Sequence, residues 1–379
     1  MTTEVTVKGG LEEVVATSSA ICYLDGQRGV LAYRGYDIHD LAQRASFEET
    51  CFLLWHGRLP NRAELGDVRS ELAAARPLPD PILRLMRTLP AGDGMDALRT
   101  LTSAIAHYEV QPGGTAAQAR ERTAVRLTAQ VASLVATWGR LSAGGGPLSP
   151  DPALSHAANF LYMLTGRRPD AAETKAFDIA LVLHADHELN ASTFAGRVTA
   201  ATLSDLHSAV VAAIGALKGP LHGGANADVM RMLLEIGAES TDERVEEQIR
   251  AKLARKEKIP GFGHRVYRTE DPRATHLRRM SQEIGKRAGN TRWFEMSQRI
   301  EALVKGEKKL YANVDFYSAS TYYMLGIPVD LFTPIFAVSR ISGWTAHFLE
   351  QYASNRLIRP RADYIGPEYP QRFVPLEER

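Results

Sequence analysis

The chain has 379 residues, 45% hydrophobic and 23% charged, the proportions of an ordinary globular protein of two or three domains or of one large core with an inserted lobe. Its 45 Lys and Arg against 44 Asp and Glu give a net charge of +1, so no global field favours nucleic acid or a membrane and any anion binding must be local. Two cysteines, Cys22 and Cys51, make no disulfide framework and fit a reducing compartment with at most one pair.

The opening reads without a signal peptide, and no apolar run approaches the ~20 residues that span a bilayer. A soluble, cytoplasmic protein is expected. EVTVKGG (4–10), SAICYLDG (19–26) and GVLAYRGY (29–36) are β-branched or aromatic and bounded by glycine. They predict two or three small strands with tight turns.

After Tyr36 the pattern is helical almost throughout. Ser46 and Glu49 form a capping box for a helix that Gly57 and Pro60 stop, and Asp170 with Glu173 repeats the device. The Gly/Pro-rich stretch 141–153 reads as a surface connection between helices. The fold class is therefore mainly α.

The Asp170 helix runs into HADHE. On a helix successive residues turn by about 100°, so His184, His187 and Glu188 share a face and Asp186 points away. Three readings stay open. The face could hold a metal with a further ligand from elsewhere, although no H-E-x-x-H is present. A histidine could be buried and satisfied at the helix end, or it could donate to an anion there.

In LKGPLHGGAN (217–226), Gly and Pro end an apolar helix and two glycines follow His222, leaving its imidazole accessible. A plain helix–helix turn accounts for the glycines but not for the histidine. KIPGFGHRVYRTEDPRA (258–274) offers a tight turn with exposed backbone, then His264, then Arg265, Arg268 and Arg273. Arginine suits bidentate recognition of carboxylate or phosphate, and Pro272 makes a corner that aims Arg273. The bland alternative is a basic surface loop.

In KLYANVDFYSAS (309–320), Asp315 lies in apolar and aromatic company. Burial would raise its pKa towards that of a general base or acid, and it could equally cap the helix that follows. Arg340, expected at a helix start, and Arg359 and Arg361 in RPR are further anion-binding candidates. No Ser/His/Asp elbow, Walker loop or Rossmann fingerprint is present. The inventory suits acid–base chemistry on a small polycarboxylate.

Taken in order, SAICYLDGQRGVLAYRGYDI, HADHELNAST, GPLHGGAN, GFGHRVYRTEDPR, NVDFYS, SRISGWTAH and RPRADY resemble the citrate synthase family over nearly the whole chain. The resemblance implies a multi-helical homodimer whose large and small domains close over an active-site cleft. It divides the chain into 1–223 (large), 224–326 (small) and 327–379 (large again, with a C-terminal arm reaching the partner). It implies His222, His264 and Asp315 as catalytic residues. His187, Arg273, Arg340 and Arg359 look like oxaloacetate ligands, Arg359 coming from the partner subunit with Arg361 as its near alternative. Glu257, Lys258, Ile259, Pro260 and Gly261 resemble the stretch that holds the adenine end of CoA.

The implied reaction is condensation of acetyl-CoA with oxaloacetate and hydrolysis of citryl-CoA, in the tricarboxylic acid cycle. Asp315 would act as base, His222 as donor to the thioester oxygen, and His264 as the acid that polarises the ketone. No metal or tightly bound cofactor is expected, and acetyl-CoA is a co-substrate. His184 and Glu188 are candidates for orienting His187. The chain begins almost at the shared strands, so the NADH control of a longer branch is not expected, and a dimer is expected over a hexamer. The nearest rival is 2-methylcitrate synthase acting on propionyl-CoA, which these motifs do not separate. Other classes are a metallohydrolase built on HADHE and a non-catalytic CoA- or acid-binding module.

Overall fold

A computed structural model describes residues 9–11, 14–109 and 113–379. The strand expected at 4–10 lies outside the described residues apart from Gly9 and Gly10, which open a short 3-10 turn. The other two strand expectations resolve into three strands, β1 (Cys22–Asp25), β2 (Val30–Tyr33) and β3 (Tyr36–Asp37), antiparallel in that order. Cys22 pairs with Tyr33 and Asp25 with Val30, so the turn between β1 and β2 is Gly26 to Gly29.

Sixteen α-helices follow among the described residues. They are α1 (Ile38–Arg44), α2 (Phe47–His56), α3 (Arg62–Ala75), α4 (Asp80–Thr88), α5 (Gly94–Ile105), α6 (Ala116–Ser142), α7 (His156–Thr165) and α8 (Ala171–His184). Then come α9 (Ala191–Ala201), α10 (Leu206–Leu217), α11 (Ala225–Ile236), α12 (Asp242–Ala254), α13 (Pro272–Arg287), α14 (Arg292–Lys308), α15 (Val314–Met324) and α16 (Phe332–Ala353). The fold is mainly α, as expected.

Local chemistry sets many of these ends. Both capping boxes form, at Ser46–Glu49 and Asp170–Glu173, and Gly57 closes α2 in the left-handed conformation that glycine adopts without strain. The core is built around α6 and α16. From Ile335 to Phe348 every residue of α16 is buried, so that stretch of the helix has no solvent face. Gly343 is the reason α16 can lie against the end of α8. A Cβ there would meet the carbonyl oxygen of Ala185 at 2.3 Å and Asp186 Oδ1 at 2.4 Å.

Helices α11 to α15 pack largely on one another, and α13 also touches α1 and α8. Beyond α16 the chain is extended and exposed. Tyr364, Ile365, Tyr369 and Phe373 present 71%, 92%, 89% and 79% of their surface, which a chain on its own does not bury. Cys22 and Cys51 are free thiols. No helix among the described residues is long and apolar enough to cross a membrane.

Candidate functional site

Two expectations about local structure need correction. Helix α8 ends at His184 with Ala185 as its C-cap, so His187 and Glu188 sit in a turn beyond it and share no helical face with His184. Tyr33 meets the chain at the stop, its Oη accepting the Asp186 N–H at 3.2 Å where a continuing helix would send that N–H to Val182 O. Tyr33 Oη approaches the oxygens of Val182, Leu183 and Asp186 at 3.2, 3.3 and 3.0 Å. His184 donates from Nδ1 to Ala180 O, 2.8 Å away, and packs on Phe336 and Tyr322. It does not orient His187, and neither does Glu188. Tyr267 Oη does so, at 3.3 Å from His187 Nε2.

Arg340 is likewise not at a helix start but in the middle of α16. It is 1% exposed. Its Nε donates to the carbonyl of His184 across 2.7 Å, and its guanidinium lies over the Phe336 ring. Among the described residues no carboxylate makes an ion pair with it. Burial pulls its pKa down to about 10, which still leaves it a cation.

Asp271 caps α13 and Pro272 is that helix's first residue, so Arg273 starts a helix rather than standing at a break. Asp271 and Arg273 are buried as a bidentate pair, Nε to Oδ1 at 2.9 Å and Nη2 to Oδ2 at 2.8 Å. Burial alone would lower the pKa of Arg273, and Asp271 holds it up. Asp271 Oδ2 also accepts the N–H of Val314, tying the starts of α13 and α15 together.

The segment from 261 to 263 lies antiparallel to 311–313. Gly263 N–H donates to Tyr311 O at 3.0 Å, Asn313 N–H to Gly261 O at 2.9 Å, and Asn313 Nδ2 to Gly263 O at 2.8 Å. Gly261 has φ +79° and no room for a Cβ between Phe316 and Val229. This pairing carries His264 to the start of α15. The N-cap there is Asn313, not Asp315, whose N–H donates to Asn313 Oδ1. The Asp315 carboxylate is therefore not used as a cap. It receives no donor among the described residues, and burial pushes its pKa up to about 6 against the opposing charge of Arg273.

The imidazoles are oriented. His264 Nδ1 accepts the N–H groups of Val266 and Tyr267 at 3.0 and 3.1 Å, so its proton is on Nε2. The next N–H, of Arg268, donates to Gly26 O at 2.9 Å, and a Cβ on Gly26 would meet Val266 O at 2.2 Å. The β1–β2 turn thus backs the His264 loop. His222 Nε2 accepts the N–H of Ser192 at 3.3 Å and lies 2.8 Å from Ser192 Oγ, which leaves Nδ1 to carry the proton. Ser192 Oγ also meets Asn190 Oδ1 and Trp344 Nε1, and Asn190 Nδ2 donates to His187 O. His187 and His264 rings are 5.3 Å apart.

All three histidines are neutral near pH 7. Burial, then the Arg273 charge, lowers His264 to about 4. Burial, then Arg340, lowers His222 to about 4. Burial, then Arg273 and His264, lowers His187 well below the usual range. Neutral donors, a carboxylate poised to take a proton, and two guanidinium groups can bind a small dicarboxylate and move protons at carbon and oxygen.

The structure brings together His187, His222, His264, Arg273, Asp315 and Arg340. It leaves Arg359 and Arg361 exposed on the extended C-terminal stretch, with no hydrogen bond or ion pair to this cluster. Glu257 and Lys258 are exposed after α12, while Ile259 and Gly261 are buried where the chain enters the His264 segment. Among the described residues no group of three His, Cys, Asp or Glu side chains could hold a metal ion. Ser192, Tyr267 and Asp271 were not foreseen. Only Asp271 carried a signal, as the residue before a proline at a helix start.

A model of the citrate synthase C-terminal domain matches residues 10–361. The Bacillus subtilis protein named citrate synthase 2 is 54% identical, covering 99% of this chain and 100% of that one. Citrate synthase of Haloferax volcanii is 52% identical over 98% and 99%. A B. subtilis citrate/2-methylcitrate synthase is 44% identical over 95% and 96%. Among solved structures, the ternary complex of Thermoplasma acidophilum citrate synthase with carboxymethyl-CoA and oxaloacetate superposes with a TM-score of 0.91, at 32% identity, over 99% and 100% of the two chains.

Proposed function

The chain belongs to the citrate synthase family, and from that premise we propose how its residues divide the work. It is an acyltransferase that joins the α-carbon of an acyl-CoA to the ketone of oxaloacetate and lets water release CoA. We take acetyl-CoA as the donor, because the two relatives reported above at 54% and 52% identity are named citrate synthases.

Asp315 removes a proton from the acyl methyl group. Its raised pKa brings it nearer to so weak a carbon acid. His222 donates from Nδ1 to the thioester oxygen, where negative charge develops. The enol carbon attacks the ketone, the new C–C bond forms, and the ketone's π pair moves onto oxygen. His264 donates the Nε2 proton to that oxygen. Water then adds to the thioester carbonyl and CoA leaves as the thiol.

His187, Arg273 and Arg340 hold the oxaloacetate carboxylates, and Arg359 of a second copy completes the set in a homodimer. The exposed apolar stretch that carries Arg359 supports this, since it needs a surface to cover it. Residues 257–261 hold the adenine end of CoA, and 224–326 moves as a small domain that shuts water out until condensation is finished. Two free thiols support a reducing, cytoplasmic setting.

The observation that carries this reading is Arg340, a buried cation that forms no ion pair among the described residues, beside three neutral imidazoles. The test is release of CoA thiol from acetyl-CoA, expected only when oxaloacetate is present and unaffected by chelator. A preference for propionyl-CoA of about tenfold or more in kcat/KM would make 2-methylcitrate the product, a difference one methylene in a pocket can supply. No thiol release with either donor would overturn the reading.

A further inference from the structure

Asp186 immediately precedes His187 and has no part in the roles above. It is 0% exposed. One carboxylate oxygen accepts the N–H of Glu188 at 3.1 Å, a turn that closes over His187. Glu188 is thereby held at φ +54°, the left-handed region that a glutamate seldom enters. Such a conformation persists only where the surroundings impose it.

The surroundings are a buried chain of polar groups on α16 and α9. His347 Nε2 lies 3.3 Å from the Asp186 carboxylate, and its Nδ1 lies 3.2 Å from Nη1 of Arg197. A guanidinium only donates, so Nδ1 bears no proton, and the imidazole presents Nε2–H to Asp186. Arg197 also donates from Nη1 to Glu350 at 2.8 Å and from Nε to Gln351 Oε1 at 3.1 Å. Glu350 accepts the N–H of Ala20, just ahead of β1. His347 and Arg197 are 0% and 3% exposed, and Gly343 keeps this face of α16 in contact with the turn.

We propose that Asp186, His347 and Arg197 are positioning residues for the dicarboxylate site, a relay of hydrogen-bond direction that fixes the turn aiming His187. Each group has one possible role. Arg197 must donate, His347 must accept on Nδ1 and donate from Nε2, and Asp186 must accept from both His347 and Glu188. The relay holds geometry and moves no proton. Its kinetic consequence rests on His187 being an oxaloacetate ligand, and its structural consequence does not.

The test uses the full-length enzyme and two replacements at 347. His347→Leu removes the donor and the acceptor together. His347→Gln supplies both, Oε1 accepting from Arg197 and Nε2 donating to Asp186. Because stranding buried polar groups is costly, the KM for oxaloacetate is expected to rise about tenfold in His347→Leu. The KM for acetyl-CoA should stay within about twofold. His347→Gln should return the oxaloacetate KM and keep the pH profile of the unaltered enzyme, which a proton carrier could not do. Asp186→Ala serves if His347→Leu does not fold, since it removes the carboxylate oxygen that His347 and Glu188 share. A crystal structure of either disruptive variant reads the turn directly. Glu188 still near φ +54° with His187 unmoved overturns the proposal, as does His347→Gln damaged as badly as His347→Leu. His187→Ala is the separate control. An unchanged oxaloacetate KM there removes the ligand role of His187, while the crystal structure still judges the turn.

Discussion

Arg340 reaches across from the middle of α16 to donate its Nε to His184 O at 2.7 Å, and among the described residues no carboxylate forms an ion pair with it. A buried charge without a partner destabilises the fold that holds it. Arg340→Met is therefore expected to unfold at an equal or higher temperature than the unaltered protein when no ligand is present. It should also lose the rise in Tm that oxaloacetate gives through binding to the native state. Thermal unfolding with and without oxaloacetate measures both. A clear fall in Tm without ligand would mean that the Phe336 ring and the His184 carbonyl already satisfy the charge.

Asp315 is pushed up to about 6 by burial, and a carboxylate can take a proton only when ionised. The kcat/KM for acetyl-CoA should then fall with a slope of one proton as pH drops through about 6. Asp315→Ala should lower condensation by about 10²- to 10⁴-fold, the range for removal of a general base, while oxaloacetate binding largely persists. An Asp315→Ala enzyme with near-normal turnover would remove it from the role.

Asp178, on α8 away from the cleft, is raised to about 7 by burial and then by the charge of Glu48. Its folded value lies above the ~3.9 of an unfolded aspartate, so between these values the native state holds the extra proton. The stability this contributes is present below pH 4 or so and is lost as pH rises through about 7. Asp178→Asn keeps an acceptor for the Phe47 N–H, which Asp178 Oδ1 accepts at 3.0 Å. It should match the parent in Tm only below about pH 4, exceed it increasingly above that, and exceed it most at pH 8.

If Arg359 crosses to a second copy, its loss and the loss of Asp315 fall in one and the same site of a mixed dimer. Arg359→Ala and Asp315→Ala subunits, each inactive alone, should regain activity when unfolded and refolded together. Random pairing gives roughly a quarter of the unaltered level, half of the dimers having one intact site of two. No recovery would place Arg359 in its own subunit's site or outside any site, and recovery with Arg361→Ala in its stead would move the role to that residue.

Much of the site was legible because its parts are local. Gly261 and Gly263 predicted a tight turn before His264, and the turn forms. Gly223 and Gly224 predicted an open imidazole at His222, and it is half-buried at a helix junction. What could not be read was where helices end and what meets them across the fold. HADHE looked helical because α8 is apolar up to its last turn, but at the stop the chain meets Tyr33, some 150 residues away. Arg340 looked like a helix start because Ser and Gly surround it, yet those small residues are what let α16 pack tightly along its length. Tyr267 and Ser192 act through hydrogen bonds whose partners lie 80 and 30 residues off.

Gly343 sets a limit on how this enzyme can change. The turn that carries His187 hangs on the spacing of α8 and α16, and that spacing has no tolerance for even a methyl group. The turn before α11 and the start of α15 are fitted as closely: a Cβ on Gly223 would meet Leu217 O at 2.4 Å, and one on Gly261 would meet Phe316 at 2.8 Å. Change can therefore enter this cluster through its side chains but not through the backbone at these three glycines.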